Sequence, residues 1–227
     1  MIAPSILPFV QMGTTGVRAI ADLPGVCLLA RDVTFRLLWC NAEYAHRCER
    51  PDTESMRNTT LRDILPLDRA VERETLMKRV QTKGHMVSYQ QLWQGARWVT
   101  MVWPLDEEEF GQPGYFVMIT LLGNTADGIP SSLWDSTLEL VRTPHLGDEL
   151  GKLSTRELEV FYWLATGLTQ VEVAKLLHRS PKTIATHADH VYQKLGFNTR
   201  AELVRFAVER GIVHFSGEQW SELVDSR

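Results

Sequence analysis

The sequence lacks the features that mark membrane and secreted proteins. No apolar run is long enough to cross a bilayer. The apolar start is interrupted by Pro4 and Pro8 and has no basic leader, so we expect no secretory signal. The three cysteines, Cys27, Cys40 and Cys48, are odd in number and have no metal-ligand spacing. These absences predict a cytoplasmic protein with free thiols and no membrane partner.

Signatures of catalysis are missing as well. The sequence has no phosphate-binding glycine-rich loop, no Gly-x-Ser-x-Gly, no His-Glu-x-x-His and no cluster of metal ligands. The acidic run 107–109 lies in a predicted turn, and the order of the predicted strands argues against a βαβ receiver domain. We therefore predict no enzyme activity, no catalytic residues and no metal site.

The composition allows one or two ordinary globular domains. The chain has 227 residues, of which 44% are hydrophobic. Its net charge of −4 is unusual for a nucleic-acid binder, but residues 153–211 contain eight Lys or Arg against six acidic residues. That stretch is mildly basic, which gives weak support for binding DNA.

Four helical patterns joined by short polar turns fill residues 153–212. Ser154 and Glu157 have the spacing of a capping box, and Thr169 is a typical cap for a second helix. Pro181 stands at the favoured first position of a third helix, only a few residues after the second. Two helices joined by so short a turn indicate a helix-turn-helix arrangement.

The third helical pattern has two different faces. One narrow apolar stripe must face the other helices: Ile184, Ala188, Val191 and Leu195. The opposite arc carries short or hydrogen-bonding side chains: Lys182, Thr186, Asp189, His190 and Gln193, with Ala185 at its edge. Such side chains are typical of a helix that lies in a DNA major groove.

These residues resemble the DNA-binding domain of LuxR/FixJ/GerE-type regulators. The matching motifs are Leu153-Ser154-x-Arg156-Glu157-x-Glu159-Val160, Ala165-x-Gly167-x-Thr169, Glu172-Val173-Ala174-x-x-Leu177, Ser180-x-x-Thr183-Ile184-x-x-His187 and Lys194-Leu195-Gly196-x-x-x-Arg200-x-Glu202-Leu203. The resemblance implies an all-α four-helix helix-turn-helix domain that binds double-stranded DNA as a homodimer.

The resemblance also implies roles for individual residues. The expected base contacts are Ala185, Thr186, Asp189 and His190. The expected phosphate contacts are Thr169, Lys182, Thr183, His187, Lys194 and Arg200. The expected dimer contacts are Val204 and Phe206.

This chain departs from the family at three positions that would face or approach DNA. Related domains usually carry a basic residue at Val171, commonly Lys at Ala185, and often Lys or another donor at Asp189. Each missing cation removes one potential phosphate contact, and an acid facing DNA adds repulsion unless it accepts from a cytosine amino group. We therefore expect low affinity per subunit and a greater need for dimerisation or for a partner protein.

Residues 22–122 predict an α+β domain with two strands, then helices, then three strands. With Cys40-Asn41-Ala42 after the second strand, this layout resembles a PAS-type sensor domain with a five-stranded antiparallel sheet. The strands are apolar on both faces, so helices should cover one face, and the segment up to Ile20 or a partner subunit the other.

No cofactor can be assigned to this PAS-like domain. Such a fold can hold haem, flavin or a small molecule, but His46 and His85 are more typical of surface or satisfied histidines than of haem ligands. The reactive-cysteine motif of light-sensing flavin domains is absent, because Cys48 lies in the sequence Arg-Cys-Glu-Arg. The tryptophans at 39, 93, 98 and 103 favour packing over an aromatic ligand pocket.

The predicted organisation has five parts. An N-terminal extension covers 1–21, the PAS-like domain 22–122, a hinge and linker helix 123–152, the helix-turn-helix domain 153–212 and a C-terminal tail 213–227. The linker helix should present an apolar stripe formed by Leu133, Trp134, Leu138 and Val141. That stripe could pair with a second copy or dock on its own sensor domain.

Two functional hypotheses follow from the sequence. The first is a cytoplasmic, dimeric transcriptional regulator that binds a pseudo-palindromic site under the control of a sensory or dimerising domain. The second is an interaction protein whose helix-turn-helix domain has weak or lost DNA affinity and acts on another regulatory protein.

Overall fold

The structure is a computed structural model, and it describes residues 20–105, 111–121 and 138–226. Its α-helices are α1 Ala42–Arg47, α2 Leu67–Lys83, α3 Gly147–Leu150, α4 Thr155–Ala165, α5 Gln170–Leu176, α6 Pro181–Leu195, α7 Arg200–Glu209 and α8 Gly217–Asp225. Its strands are β1 Val26–Asp32, β2 Leu37–Cys40, β3 Val87–Trp93, β4 Ala96–Leu105, β5 Gly114–Leu121 and β6 Glu139–Leu140.

The strands form a mixed sheet in the order β2-β1-β5-β4-β3-β6. β1 is antiparallel to both of its neighbours, and its register with β5 runs from Val26 opposite Thr120 to Asp32 opposite Gly114. The alternation of side chains across the sheet places Leu28 and Ala30 on one face, and Leu29 and Arg31 on the other.

The prediction of five antiparallel strands is wrong by one strand. Residues 139–140, predicted as part of the linker helix, form β6 instead. Their neighbour Val141 donates its N–H to Gln90 O at 2.9 Å, and His145 donates to Leu92 O at 2.8 Å. The segment thus satisfies its backbone by running along β3 in the same direction, which a helical pattern of apolar residues does not reveal. Leu133 and Trp134 lie outside the described residues.

The chain divides into two compact units. The first comprises the described residues up to Tyr89 together with Val99–Thr120, and the second comprises Gln90–Trp98 and the described residues after Thr120. Within the described residues, no helix combines the length and the apolar character needed to cross a membrane.

In the first unit, helix α1 is anchored to the sheet by its cap. Asn41 Oδ1 accepts from Tyr44 N at 3.2 Å and from Leu28 N at 3.0 Å. The longer helix α2 ends at Gly84, which has a left-handed φ of 68°.

The apolar face of the sheet in the first unit is covered in part by the leading segment. Leu28, Ala30, Leu105 and Phe116 form a buried cluster there. Ile20 and Ala21 pack against this cluster, as do Trp39 and Trp103. The contacts of these two tryptophans favour the packing interpretation.

The second unit has a helical core that extends beyond the four predicted helices. The capping box of Ser154 with Glu157 is present at α4, and a further box joins Thr169 to Glu172 at α5. The predicted tail contains helix α8, whose Trp220 is 1% exposed and donates its indole N–H to Leu158 O at 3.1 Å. These residues therefore belong to the core of this unit, since burial of a tryptophan contributes strongly to stability.

Candidate DNA interface

The second unit places α5 and α6 as a helix-turn-helix. After α5 the turn passes through His178, which adopts a left-handed φ of 52°. Ser180 then caps α6, its hydroxyl accepting from Thr183 N at 3.1 Å, and Pro181 occupies the first helical position. The left-handed Gly196 ends α6 with a φ of 71°. The position of Pro181 at the start of α6 confirms the sequence prediction.

Helix α6 is buried on one side only. Ile184, Ala188 and Val191 are fully buried in the helical core. On the opposite side Thr186, Asp189 and His190 are exposed, whereas Ala185 is half-buried. The four residues predicted to contact bases therefore lie on one arc that the domain's own core leaves uncovered. Their contacts with bases remain a prediction.

Two of these residues already have partners within the protein. Thr186 Oγ1 donates to Lys182 O at 3.1 Å, one helical turn earlier, so its hydroxyl oxygen remains able to accept. His190 Nδ1 lies 3.4 Å from Glu157 Oε1.

Glu157 is the centre of a buried ion pair between α4 and α6. It is 4% exposed, and its Oε2 accepts from Lys194 Nζ and from Ser154 N, at 2.6 and 2.7 Å. Burial alone would raise the pKa of Glu157. The hydrogen bonds from Lys194 and Ser154 outweigh this and hold the pKa at about 2. The carboxylate therefore stays charged and holds α6 against α4.

This pair changes the environment of Lys194, which is predicted to contact phosphate. An ammonium has three N–H donors, and one is directed at Glu157. The side chain remains 39% exposed. A phosphate contact by Lys194 therefore stays a prediction. The lysine also has a structural role, because it pairs with Glu157.

Arg200, another predicted phosphate contact, is also engaged within the domain. Its Nη2 donates to Leu168 O at 2.7 Å and to Leu164 O at 3.2 Å. It therefore satisfies one carbonyl in the last turn of α4 and one in the loop that follows. His187 is half-buried, and its Nδ1 is buried without a hydrogen-bond partner among the described residues.

The remaining phosphate candidates lie at helix N-termini. Thr169 precedes α5, and its hydroxyl donates to Glu172 Oε2 at 2.7 Å. Thr183 lies in the first turn of α6, 2.8 Å from Ser180 Oγ, and Lys182 beside it is exposed. The first turn of a helix attracts anions through its free N–H groups, and Lys182 adds a full positive charge there.

The sequence prediction assigned no contact to two exposed cations near this surface. Arg179 lies in the turn itself, and Lys175 is in the last turn of α5. A count of basic residues in the turn would have identified Arg179. These two residues add positive charge to a surface that lacks cations at Val171 and Ala185.

The residues predicted to form the dimer interface are placed differently from each other. Phe206 is 8% exposed, and its ring lies 6.0 Å from the Phe161 ring and 5.3 Å from the Phe197 ring. It therefore packs mainly inside its own domain. Val204 is half-buried and shares an arc of α7 with Val208, a residue that the prediction omitted. Dimerisation through α7 remains a prediction.

No group of three or more metal-ligating side chains occurs in the part of the chain that the structure describes. The described cysteines are free, and burial raises the pKa of each thiol. Neither observation points to a metal or to a reactive thiol.

The arrangement of α4 to α7 agrees with a family comparison. Residues 151–207 match the family described as "Bacterial regulatory proteins, luxR family". The second unit carries a LuxR-family helix-turn-helix domain. The match ends within α7, so α8 lies outside the matched residues.

Curated relatives resemble this LuxR-family segment of the chain. The oxygen regulatory protein NreC of Staphylococcus aureus is 36% identical over 73 residues, which are 32% of this chain and 34% of that protein. A Mycobacterium tuberculosis protein named as a candidate HTH-type transcriptional regulator is 43% identical over 61 residues, which are 27% of this chain and 7% of that protein. The alignments thus cover about a third or less of either relative.

One solved structure is similar over most of the chain. The crystal structure of a Vibrio cholera VqmA-ligand-DNA complex aligns with a TM-score of 0.50 and 17% identity, covering 91% of both chains. At this identity the likeness shows a similar fold.

Proposed function

We propose that the protein is a sequence-specific DNA-binding transcriptional regulator that works as a cytoplasmic homodimer. The observation that carries the proposal is the two-sided character of α6. Its Ile184, Ala188 and Val191 are fully buried, whereas Thr186 and Asp189 are exposed on a surface that no part of the domain covers. The match of this segment to a family of regulatory proteins supports the same function.

In the proposed mechanism, α6 enters the major groove with its exposed arc towards the base edges. Thr186 can donate to or accept from a base, and Asp189 can accept from a cytosine amino group. Lys182 and Arg179, both exposed, would bind phosphates on either side of the groove. Because Asp189 repels phosphates, specificity should depend strongly on a cytosine at the position that it faces.

Dimerisation supplies the affinity that one such domain lacks. The partly exposed stripe of Val204 and Val208 on α7 is suited to pairing with a second copy. Two α6 helices related by a two-fold axis would bind half-sites about one helical turn apart, so the operator should be pseudo-palindromic.

The first unit would serve as a PAS-like sensory or dimerising domain. Helix α1 packs on the sheet face that bears Arg31, whose Nη2 donates to Tyr44 Oη of that helix. The similar Vibrio structure contains a ligand and DNA, which supports a small-molecule signal for this fold. A signal bound in the first unit would change the relative placement of the two recognition helices.

A second function has its own support. Two of the six predicted phosphate contacts, Lys194 and Arg200, are engaged inside the domain, and the exposed arc carries Asp189. These features favour a regulator with weak DNA affinity that acts by binding another protein.

A DNA selection from a random pool with the purified full-length protein separates the two functions. The first predicts enrichment of one pseudo-palindromic sequence, whose affinity falls steeply with salt. The second predicts background DNA binding together with capture of one defined protein partner. The absence of any enriched sequence would contradict the first function.

A further inference from the structure

The core of the first unit contains an arginine that is completely shielded from solvent. Arg31, in β1, is 0% exposed. A guanidinium stays protonated in proteins, so this residue brings a full positive charge into the core. A buried charge is costly unless an opposite charge and hydrogen bonds compensate for it.

The partners of Arg31 are all neutral oxygens. Its Nη1 donates to Phe35 O at 2.6 Å and to Thr59 O at 2.9 Å, and its Nη2 donates to Tyr44 Oη at 3.1 Å. In the described part of the chain, no carboxylate forms an ion pair with Arg31, and its buried Nε has no hydrogen-bond partner. One donor is therefore unused, and the carboxylate of Asp63 interacts with Arg31 only electrostatically, without an ion-pair contact.

The unused donor lies on the edge of the guanidinium that suits a carboxylate. Nε and Nη2 present parallel N–H bonds that can bind both oxygens of one carboxylate. The two carbonyls on Nη1 fix the orientation of the group. Nη2 has a second N–H besides the one available for Tyr44. These hydrogen bonds therefore fix the orientation of this edge in the absence of an anion.

The surroundings of Arg31 add positive charge and hydroxyl groups. Arg73, from α2, is 6% exposed, and burial lowers the pKa of its guanidinium. Tyr44 and Tyr89 interact electrostatically with both arginines. Burial raises the pKa of both phenols, that of Tyr89 to about 12, so both remain neutral hydroxyls.

The buried carboxylate on α2 is already engaged. Glu74 is 6% exposed and receives two hydrogen bonds from Arg62, at 2.8 and 3.0 Å. Arg62 balances the charge of Glu74, so Glu74 is not available as a partner for Arg31.

We propose that the core of the first unit binds a small carboxylate, held side-on by Nε and Nη2 of Arg31. The Tyr44 hydroxyl lies next to this edge, and Arg73 supplies a second positive charge. This inference rests on the proposed sensory role and names the chemical class of the signal. A neutral analogue of the same shape should bind much more weakly, because it cannot neutralise Arg31.

Thermal unfolding of the full-length protein without DNA tests this site. The probes are sodium formate, acetate and benzoate, with formamide, acetamide and benzamide as neutral controls and sodium chloride at equal ionic strength. At least one carboxylate should raise Tm saturably by about 2–4 °C, and its amide should not. Arg31→Met should abolish the shift, and Tyr44→Phe should weaken the affinity at least threefold.

Several outcomes would overturn the proposal. It fails if all three carboxylates behave like chloride, or if Arg31→Met keeps the shift. Should Arg31→Met not fold, Tyr44→Phe and Arg73→Met carry the test, and unchanged carboxylate affinity in both would reject the site. Because no DNA is present, a negative result leaves the DNA-binding proposal standing. Failure of the DNA selection would equally leave the carboxylate result intact.

Discussion

The two units bury charges in opposite ways. In the second unit Glu157, 4% exposed, receives hydrogen bonds from Lys194 and Ser154 and is matched by a cation of the same domain. In the first unit Arg31, 0% exposed, is surrounded by neutral oxygens and keeps one donor unused. Removal of one partner of the Glu157 pair would leave a buried charge without its counterion, whereas Arg31 has no paired carboxylate among the described residues.

This difference matches the roles proposed for the units. The helix-turn-helix domain needs a rigid frame, because α6 must present its exposed residues in one geometry. A sensory domain instead needs a core whose stability changes when its ligand binds, and the unpaired Nε of Arg31 is the feature on which that proposal rests.

The largest effect is expected from the aromatic core of the second unit. Trp220→Ala removes a ring that stacks on Tyr162 at 5.2 Å and the hydrogen bond to Leu158 O. We expect the free energy of unfolding to fall by about 3–5 kcal/mol, measured by denaturant unfolding. Trp220→Phe, which retains an aromatic ring, is the matched control and should cost less. An unchanged stability for Trp220→Ala would show that α8 does not belong to this core.

The next effect concerns the buried ion pair. Glu157→Gln should lower the free energy of unfolding by about 3 kcal/mol near neutral pH, because the pKa of Glu157 is about 2 in the folded state and about 4.3 when unfolded. Glu172→Gln, at the exposed capping box of α5, is the control and should have a much smaller effect.

The same pair predicts a pH dependence. A lowered folded pKa means that the stabilisation is present above about pH 4.3 and is lost as the pH falls towards 2. The difference in Tm between wild type and Glu157→Gln should therefore shrink across that range. A difference that stays constant from pH 6 to pH 2.5 would contradict the pairing.

A smaller effect is expected from a cation on the DNA-facing surface. Lys182→Ala should leave Tm unchanged, because the residue is exposed. It should reduce the salt dependence of DNA binding by about one unit of slope per subunit, measured by fluorescence anisotropy. Lys83→Ala, an exposed lysine of the first unit, is the control and should keep the wild-type slope.

The helix-turn-helix domain could be predicted from the sequence because its signals are local. The box of Ser154 with Glu157, Pro181 at the start of α6 and Gly196 at its end each act within one helical turn. The apolar stripe of α6 has the period of a helix, so the buried side of this helix was also predictable.

What could not be predicted depends on contacts between residues distant in the sequence. Lys194 and Glu157 are 37 positions apart, and Trp220 reaches Leu158 across 62 positions. No local pattern specifies these contacts. The apolar residues near Val141 suggested a helix, but hydrogen bonds to Gln90 and Leu92 make this stretch part of the sheet. Arg31 carried no signal, because one arginine in an apolar strand does not reveal its burial.

The most direct test of DNA recognition is to repeat the DNA selection with Thr186→Ala beside the wild type. Thr186 is exposed on α6 and contributes only one local hydrogen bond, so its loss should not change Tm. We predict that the wild type enriches a pseudo-palindrome and that Thr186→Ala loses preference at one symmetric pair of positions, by about 1–3 kcal/mol per site. Identical enriched sequences for both proteins, or none for either, would contradict recognition through this face of α6.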